Sequence, residues 1–286
     1  MMVLWEVRNM EHIEDTFKGD KGLNLFYQCW LPDKKPKAVL LIVPGAAEHS
    51  GRYTNLVNYF VPRDYAICAL DTQGHGKSEG LRCYIDRFSD YTDDIKIFFD
   101  IIHQKYADRK VFLVGHSMGA TIAVAYTVQH QRDLAGLIVS GMFLKPGSSI
   151  PSVLKPVVPL ISFLFPKMGV TLLDATAISQ DKAVVDAYVN DPLVHRGKIT
   201  ARLGVELIKT VDRLPSQMPA IKLPILIMHG TADRLCKPEG SQMLYDLVGS
   251  SDKTLKLYEG FHHEIFNEPG HLQVMADVEA WLATRI

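Results

Sequence analysis

Short apolar runs alternate with longer amphipathic stretches along most of the chain, which predicts strands connected by helices. The runs at Ala38–Val43, Tyr65–Leu70 and 111–114 are continuously apolar, as is typical of parallel strands that are buried on both faces of a sheet. Two earlier segments, 14–19 and 23–32, alternate more loosely and predict a pair of strands joined by a turn. The pattern therefore predicts an α/β fold with a central, mostly parallel sheet.

Helical periodicity and further apolar runs continue this alternation toward the end of the chain. Residues 90–106 carry Ile95, Phe98, Phe99 and Ile102 at helical spacing, and we expect those side chains to lie in the core. The remaining predicted elements are a helix ending near Phe60, a helix at 120–130, strands at 134–140, 225–229 and 254–258, and a closing helix at 270–286.

The alternation breaks at about Gly141 and resumes at about residue 224. The intervening residues are interrupted by prolines and have helical apolar faces that match no strand. We interpret them as a helical cap inserted over the C-terminal edge of the sheet. The prediction is a doubly wound α/β fold whose core is formed by residues 1–140 and 224–286, with a cap insertion at 141–223.

The apolar run at 111–114 leads directly into Gly115-His116-Ser117-Met118-Gly119, and a helix-like stretch follows at once. A Gly-x-Ser-x-Gly pentapeptide between a strand and a helix is the nucleophile elbow of α/β-hydrolases, in which a sharp turn exposes the serine hydroxyl. Glycines at both ends let the strand and the helix pass close together. We therefore predict the α/β-hydrolase fold, with Ser117 as the nucleophile; the alternative is an ordinary tight turn.

An activated serine needs a histidine base and an acid that orients the base, and in this fold both follow the serine in the chain. Asp233 comes just after a late predicted strand, and His263 comes after the last one. We predict these two residues as the triad partners of Ser117. Asp71 is a rival acid that precedes the serine and is better explained by a structural role, and His262 is the rival base.

Two backbone N–H groups should bind the negatively charged oxygen of the transition state. In this fold one of them belongs to the residue after the nucleophile, here Met118, and the other belongs to the loop after the third strand. That loop begins at Pro44, and we choose Ala46 as its donor.

Composition and spacing argue against several other classes of function. A formal net charge of -1 and a pI of about 6.8 give no electrostatic reason to bind nucleic acid. The glycine-rich loop after Asp71 lacks the Gly-x-x-x-x-Gly-Lys-Ser spacing of a phosphate site. His262, His263 and Asp233 match no metal-ligand signature. We predict no metal, no cofactor and no nucleic-acid partner.

The four cysteines form no Cys-x-x-Cys pair, and the simplest interpretation is a reduced, cytoplasmic protein. The first residues carry too short an apolar run for a signal peptide. The most apolar long stretch, 150–170, contains four prolines and two lysines, and is a poor membrane span. We therefore expect a soluble protein.

The segments GAAEHSGRY, DTQGHGKSEG, VFLVGHSMG, HGTADRLC and YEGFHHE follow one another in this order. With them the chain resembles the monoacylglycerol lipase family of serine hydrolases, from about residue 14 to the C-terminus. The resemblance implies a triad of Ser117, Asp233 and His263, and it implies Ala46 and Met118 as the oxyanion donors. These are the residues that the strand order also predicts.

The resemblance also implies that Glu48, Arg52 and Tyr188 surround the polar end of the pocket, where the glycerol group binds. The alternative is that these three are ordinary polar residues of the surface or a hinge. A histidine that helps to form this polar end in the family is Phe266 here, so a strict preference for glycerol esters does not follow from the resemblance.

The function implied by the resemblance is hydrolysis of a lipid ester, with monoacylglycerol as the preferred substrate. The near alternatives are a lysophospholipase and a broad carboxylesterase, and the distant ones are a perhydrolase and a catalytically silent ligand-binding protein. We expect residues 150–170 to form the cap and an acyl-chain tunnel, and to present a peripheral contact surface to micelles or membranes. The alternative is a cap that packs only on its own core.

Overall fold

The computed structural model of this chain describes residues 10–147 and 157–286. Its strands are β1 (Glu11–Lys18), β2 (Asn24–Leu31), β3 (Ala38–Val43), β4 (Tyr65–Leu70), β5 (Lys110–His116), β6 (Gly136–Ser140), β7 (Gly169–Thr171), β8 (Ile199–Thr200), β9 (Ile225–Gly230) and β10 (Lys253–Tyr258). Its α-helices are α1 (Thr54–Phe60), α2 (Ser89–Lys105), α3 (Met118–His130), α4 (Val157–Leu164), α5 (Lys182–Asn190), α6 (Ala201–Gln217), α7 (Pro238–Leu247) and α8 (His271–Ala283). The prediction that there is no signal peptide depends on residues 1–15, of which 1–9 lie outside the described residues, as do residues 150–156 of the predicted cap stretch.

Eight of these strands form one sheet in the spatial order β1-β2-β4-β3-β5-β6-β9-β10. β2 pairs antiparallel with both β1 and β4, and the remaining neighbours are parallel. This confirms the predicted mostly parallel sheet. The predicted strands and helices of the core are present with ends that differ by up to three residues, whereas α7 has no counterpart in the sequence-based prediction.

Alternate side chains of β3 enter hydrophobic clusters on opposite faces of the sheet. Val39 and Leu41 pack with side chains of α2, α3, α6 and α7, whereas Leu40 and Ile42 pack with side chains of α1 and α8. Because both faces are covered, the strand is apolar throughout. The four predicted core residues of α2 are fully buried, which confirms their assignment.

The segment between β6 and β9 carries α4, β7, α5, β8 and α6. It is hydrogen-bonded to the loops that follow β3 and β4, because the N–H of His195 donates to the Ala47 carbonyl at 2.8 Å and the Thr200 hydroxyl donates to the Cys83 carbonyl at 2.6 Å. The segment therefore contacts loops at the C-terminal ends of the strands. The cap boundaries at residues 141 and 223 stay a prediction.

The expectation that this segment contains no strand is wrong. β7 and β8 pair in a short antiparallel arrangement. Strands of three and two residues are too short to show an alternating pattern, so hydrophobic periodicity could not reveal them.

Cys29 of β2 and Cys68 of β4 form a disulfide, with their Cα atoms 4.1 Å apart. The prediction of a fully reduced chain is therefore wrong for this pair. The two residues are 39 positions apart in sequence but directly opposite each other on antiparallel neighbours, and only the pairing of β2 with β4 brings them together. Cys83 and Cys236 are free and buried.

None of the described helices is both long enough and apolar enough to cross a membrane.

Asp94 of α2 is buried, and its Oδ1 accepts a hydrogen bond from the N–H of Asp20 at 2.8 Å. Burial outweighs this hydrogen bond and raises the pKa of Asp94 to about 7, and the charges of Asp20, Asp90 and Asp93 act in the same direction. Because the ionised form is disfavoured in the folded protein, the contribution of Asp94 to the free energy of unfolding should fall as the pH rises from about 4 to about 7.

We predict that Asp94→Asn raises the free energy of unfolding by about 2 to 4 kcal/mol at pH 8 and leaves it nearly unchanged at pH 4. Denaturant unfolding at both pH values measures this. Asp100→Asn is the matched control, since it removes the same charge from an exposed position on the same helix. An equal gain in both variants would contradict the prediction.

Candidate active site

Ser117 lies at the turn between β5 and α3, with a φ of 54° and a ψ of -118°. A non-glycine residue rarely adopts such a positive φ, so the backbone is strained here. The N–H of Ser117 donates to the Ser140 carbonyl at the end of β6 at 2.9 Å, which helps to hold the turn. The side chain is half-buried, at the C-terminal edge of the sheet.

The two positions that flank this turn must be glycine, because neighbouring backbone atoms occupy the space that a Cβ would need. A Cβ at Gly119 would overlap the carbonyl oxygens of Val43 and Pro44, and a Cβ at Gly115 would lie 2.6 Å from the Cα of Ala120. The start of α3 therefore touches the end of β3, as the elbow motif predicts.

Asp233 and His263 form a buried pair in which Nδ1 of the histidine lies 2.6 Å from Oδ2 of the acid. The other carboxylate oxygen accepts hydrogen bonds from the N–H groups of Leu235 and Cys236 at 2.8 and 2.9 Å. Nε2 of His229 lies 3.0 Å from the same Oδ2. Each oxygen of Asp233 thus has two partners.

These contacts shift the two pKa values in opposite directions. Burial raises the pKa of Asp233, but the charge of His263 and hydrogen bonds from His229, His263 and the Cys236 N–H together hold it well below its usual range. Burial lowers the pKa of His263, but the charge of Asp233 and its hydrogen bond raise it above its usual value. The acid therefore stays ionised and the imidazole becomes more basic.

The serine and the histidine–acid pair converge at one edge of the sheet. The ring of His116, which precedes Ser117, has its centroid 4.7 Å from that of His263. Burial raises the pKa of the Cys236 thiol well above its usual range, and a hydrogen bond with the Ser117 side chain opposes this. The structure therefore brings Ser117, Asp233 and His263 together.

The two rival residues have other surroundings. Asp71 accepts hydrogen bonds from the N–H groups of Ser50 and Lys77 at 2.7 and 2.8 Å, so it joins two loops, in keeping with the predicted structural role. Nδ1 of His262 has no hydrogen-bond partner within the described part of the chain, and it is His263 that pairs with Asp233.

The loop after β3 passes directly beside the serine. A Cβ at Gly45 would lie 3.1 Å from the Cβ of Ser117, and the N–H of Gly45 donates to Oε1 of Glu48 at 2.5 Å. Within residues 10–147 and 157–286, the N–H groups of Ala46 and Met118 donate no hydrogen bond. They are thus available to bind a substrate oxygen.

Glu48, Arg52 and Tyr188 meet in one cluster, which also contains Glu264 and Tyr53 and which we call the Arg52 cluster. Nη2 of Arg52 donates to both oxygens of Glu264, at 2.9 and 2.7 Å, and its Nε lies 3.4 Å from Oε2 of Glu48. The guanidinium carbon lies 4.6 Å from the ring centroid of Tyr188, which belongs to α5. The hydroxyl of Tyr53 donates to Oε1 of Glu48 at 2.8 Å.

Sequence reasoning missed three residues of this region, which are Tyr53, His229 and Glu264. Glu264 directly follows the predicted base, and this adjacency is the only sequence signal that could have drawn attention to it. Nothing in the spacing indicates that it binds Arg52, which lies 212 positions earlier. Phe266 packs in the core with side chains of α1 and α8.

Among the described residues, one group of three offers metal-ligating atoms close together, namely Asp233, Cys236 and His263, whose atoms lie within 4.8 Å of one another. Both oxygens of Asp233 already have partners, and Nδ1 of His263 is directed at one of them. A metal ion would have to compete with these contacts, so the group does not fit a dedicated metal site.

Residues 34–270 match the Hydrolase_4 family, described as serine aminopeptidase, S33. A monoacylglycerol lipase of Mycolicibacterium smegmatis is 35% identical over 96% of this chain and 98% of its own. The monoglyceride lipase of Mus musculus is 34% identical over 93% of this chain and 88% of its own. The crystal structure of the Paleococcus ferrophilus monoacylglycerol lipase matches with a TM-score of 0.81 and 27% identity, covering 97% of this chain and 100% of that one. The chain therefore belongs to the monoacylglycerol lipase family of α/β-hydrolases.

Proposed function

We propose that this protein is a serine hydrolase that cleaves the ester bond of monoacylglycerols to glycerol and a fatty acid. The observation that carries the proposal is the buried contact of 2.6 Å between His263 and Asp233 beside the strained elbow at Ser117. The names of the two relatives described above, a monoacylglycerol lipase and a monoglyceride lipase, support this substrate class.

The reaction proceeds in two steps through an acyl-enzyme. Nε2 of His263 takes the proton from Oγ of Ser117 as that oxygen attacks the ester carbonyl, while Asp233 holds Nδ1–H and stabilises the imidazolium. The tetrahedral intermediate collapses, glycerol leaves with the proton from His263, and the acyl group stays on Ser117. Water then gives a proton to His263 and attacks the acyl-enzyme, and the second tetrahedral intermediate releases the fatty acid as His263 returns the proton to Oγ of Ser117.

The N–H groups of Ala46 and Met118 bind the oxyanion in both steps. Met118 is the first residue of α3, so the positive end of the helix dipole also faces the developing charge. Each such donor contributes about 3 kcal/mol to the lowering of the barrier. The glycerol group binds at the polar end of the pocket, against Glu48, Arg52 and Tyr188.

The cap also carries an exposed apolar surface, which supports contact with a lipid aggregate. It is formed by side chains of α4 and the residues that follow, each between 43% and 75% exposed: Leu160, Phe163, Leu164, Phe165, Met168, Val170 and Leu172. Soluble proteins seldom expose a contiguous set of this kind without a partner. We infer that this surface rests on the micelle or membrane that supplies the substrate.

Ser117→Ala should lower monoglyceride hydrolysis by at least about 1,000-fold, because no other group takes the place of the nucleophile. Glycerol and fatty-acid release from a monoglyceride, a triglyceride and a lysophospholipid of equal acyl chain, together with acid release from a short-chain ester, measures this. A serine-directed phosphonate should label the wild type and the control Ser216→Ala, whose serine lies at an exposed position in α6, but not Ser117→Ala.

Turnover of lysophospholipid or short esters alone would move the function to a lysophospholipase or a broad carboxylesterase. Failure to label would favour a silent ligand-binding protein.

The pH dependence should report the titration of His263, which must be neutral to accept the serine proton. Since Asp233 raises the pKa of His263, kcat/KM should fall as the pH drops through a midpoint above about 6.5. Asp233→Asn removes the charge, so the midpoint should move to lower pH and kcat should fall by about 1,000-fold or more. A midpoint that stays in place in this variant would argue against His263 as the base.

Replacing both Phe163 and Phe165 by serine should weaken binding to neutral phosphatidylcholine vesicles by about tenfold or more, because each change removes exposed apolar area from the cap. Vesicle co-sedimentation measures the binding. Leu272→Ser in α8 is the control, since Leu272 is also 63% exposed. Equal weakening by the control, or none by the double variant, would place the lipid contact elsewhere.

A further inference from the structure

Two carboxylates of the protein flank the guanidinium of Arg52, whose Nε has no hydrogen-bond partner among the described residues. Nη2 binds both oxygens of Glu264, Nε faces Glu48, and the ring of Tyr188 covers the guanidinium. Only 8% of the Arg52 side chain is exposed. An anionic ligand that sought this guanidinium would therefore compete with Glu264, which holds it in a charge-assisted pair.

The neighbouring neutral donors are also directed at the two carboxylates. The N–H of Gly45 and the hydroxyl of Tyr53 donate to Oε1 of Glu48, and the side-chain amide of Asn267 donates to Oε2 of Glu264 at 2.8 Å. Among the described residues, the only partner of Oε2 of Glu48 is Arg52, at 3.4 Å. This oxygen keeps capacity to accept a hydrogen bond from a ligand hydroxyl.

The Arg52 cluster carries two carboxylates and one guanidinium, so its formal net charge is -1. Both carboxylates are buried, with Glu48 4% and Glu264 5% exposed, and charges interact more strongly there than in water. A small cavity lies between these three side chains and His116, the residue before Ser117. The excess negative charge therefore lies next to the site of the reaction.

We propose that Glu264 makes this end of the pocket selective for neutral head groups that carry hydroxyls and against anionic head groups such as a phosphate monoester. A glycerol hydroxyl donates to a carboxylate oxygen, whereas an ionised phosphate offers acceptors and adds a second negative charge. Without the charge of Glu264, Arg52 can bind phosphate instead. This proposal rests on the proposed function, which supplies the ester hydrolysis. It adds that the alcohol part of the ester must be neutral rather than anionic.

A matched pair of substrates tests this, namely a monoacylglycerol and the 1-acylglycerol 3-phosphate with the same acyl chain. The wild type should favour the neutral ester by about 100-fold or more in kcat/KM, and Glu264→Gln should reduce this ratio by about tenfold or more, mainly through a lower KM for the phosphate. The ratio within one variant cancels any effect of Glu264 on the pKa of His263. Glu259→Gln is the control, because it removes the same charge from an exposed position in the same loop.

Binding to the Ser117→Ala variant separates this proposal from the proposed function. If the wild type hydrolyses neither ester, the hydrolase proposal is overturned, while the two binding affinities of Ser117→Ala, with and without Glu264→Gln, still test the charge selectivity. The proposed charge selectivity would be overturned if Glu264→Gln left the ratio of the two kcat/KM values unchanged, or if the wild type bound both ligands equally well. If Glu264→Gln does not fold, the wild type is compared on choline, glycerol and glycerol phosphate esters, and a phosphate ester used as well as the choline ester would also overturn it.

Discussion

The close crossing of α3 over the end of β3 is the constraint on which the rest of the site depends. It is possible only because Gly119 has no side chain that would meet the carbonyl oxygens of Val43 and Pro44. The crossing forces a positive φ on Ser117, and it brings the loop after β3 beside that serine. The N–H groups of Ala46 and Met118, which donate no hydrogen bond within the described part of the chain, lie on either side of this contact.

The segment between β6 and β9 completes the site rather than merely covering it. The N–H of His195 holds the carbonyl of Ala47, which lies in the loop after β3, and Nε2 of His49 in that loop lies 2.8 Å from Oδ2 of Asp191. Tyr188 packs over the guanidinium of Arg52. The conformation of the loop beside Ser117 and the arrangement of the Arg52 cluster thus both depend on contacts with this segment.

The sequence alone was sufficient for the fold class and for the succession of the core strands along the chain, and it pointed to Ser117, Asp233 and His263 as the predicted triad. Apolar runs reveal buried strands because both faces of a parallel sheet are covered. The elbow motif locates Ser117 because few residue types fit so tight a turn. The chain order of strands then points to Asp233 and to the adjacent His262 and His263, since parallel strands end at a common edge, and the family resemblance favours His263. These are local signals or consequences of connectivity, and so they can be read without coordinates.

Only the tertiary structure decided which residues from distant segments become neighbours. The pairing of β2 with β4 places Cys29 opposite Cys68, and the return of the chain after β10 brings Glu264 to Arg52. Neither pair has a periodicity or a spacing that could have indicated it. The hydrophobic pattern determines which face of an element is buried. An unpaired buried charge is costly, so each buried charged group needs a partner. Which residue becomes that partner depends on how whole elements pack, and the local sequence does not contain this information.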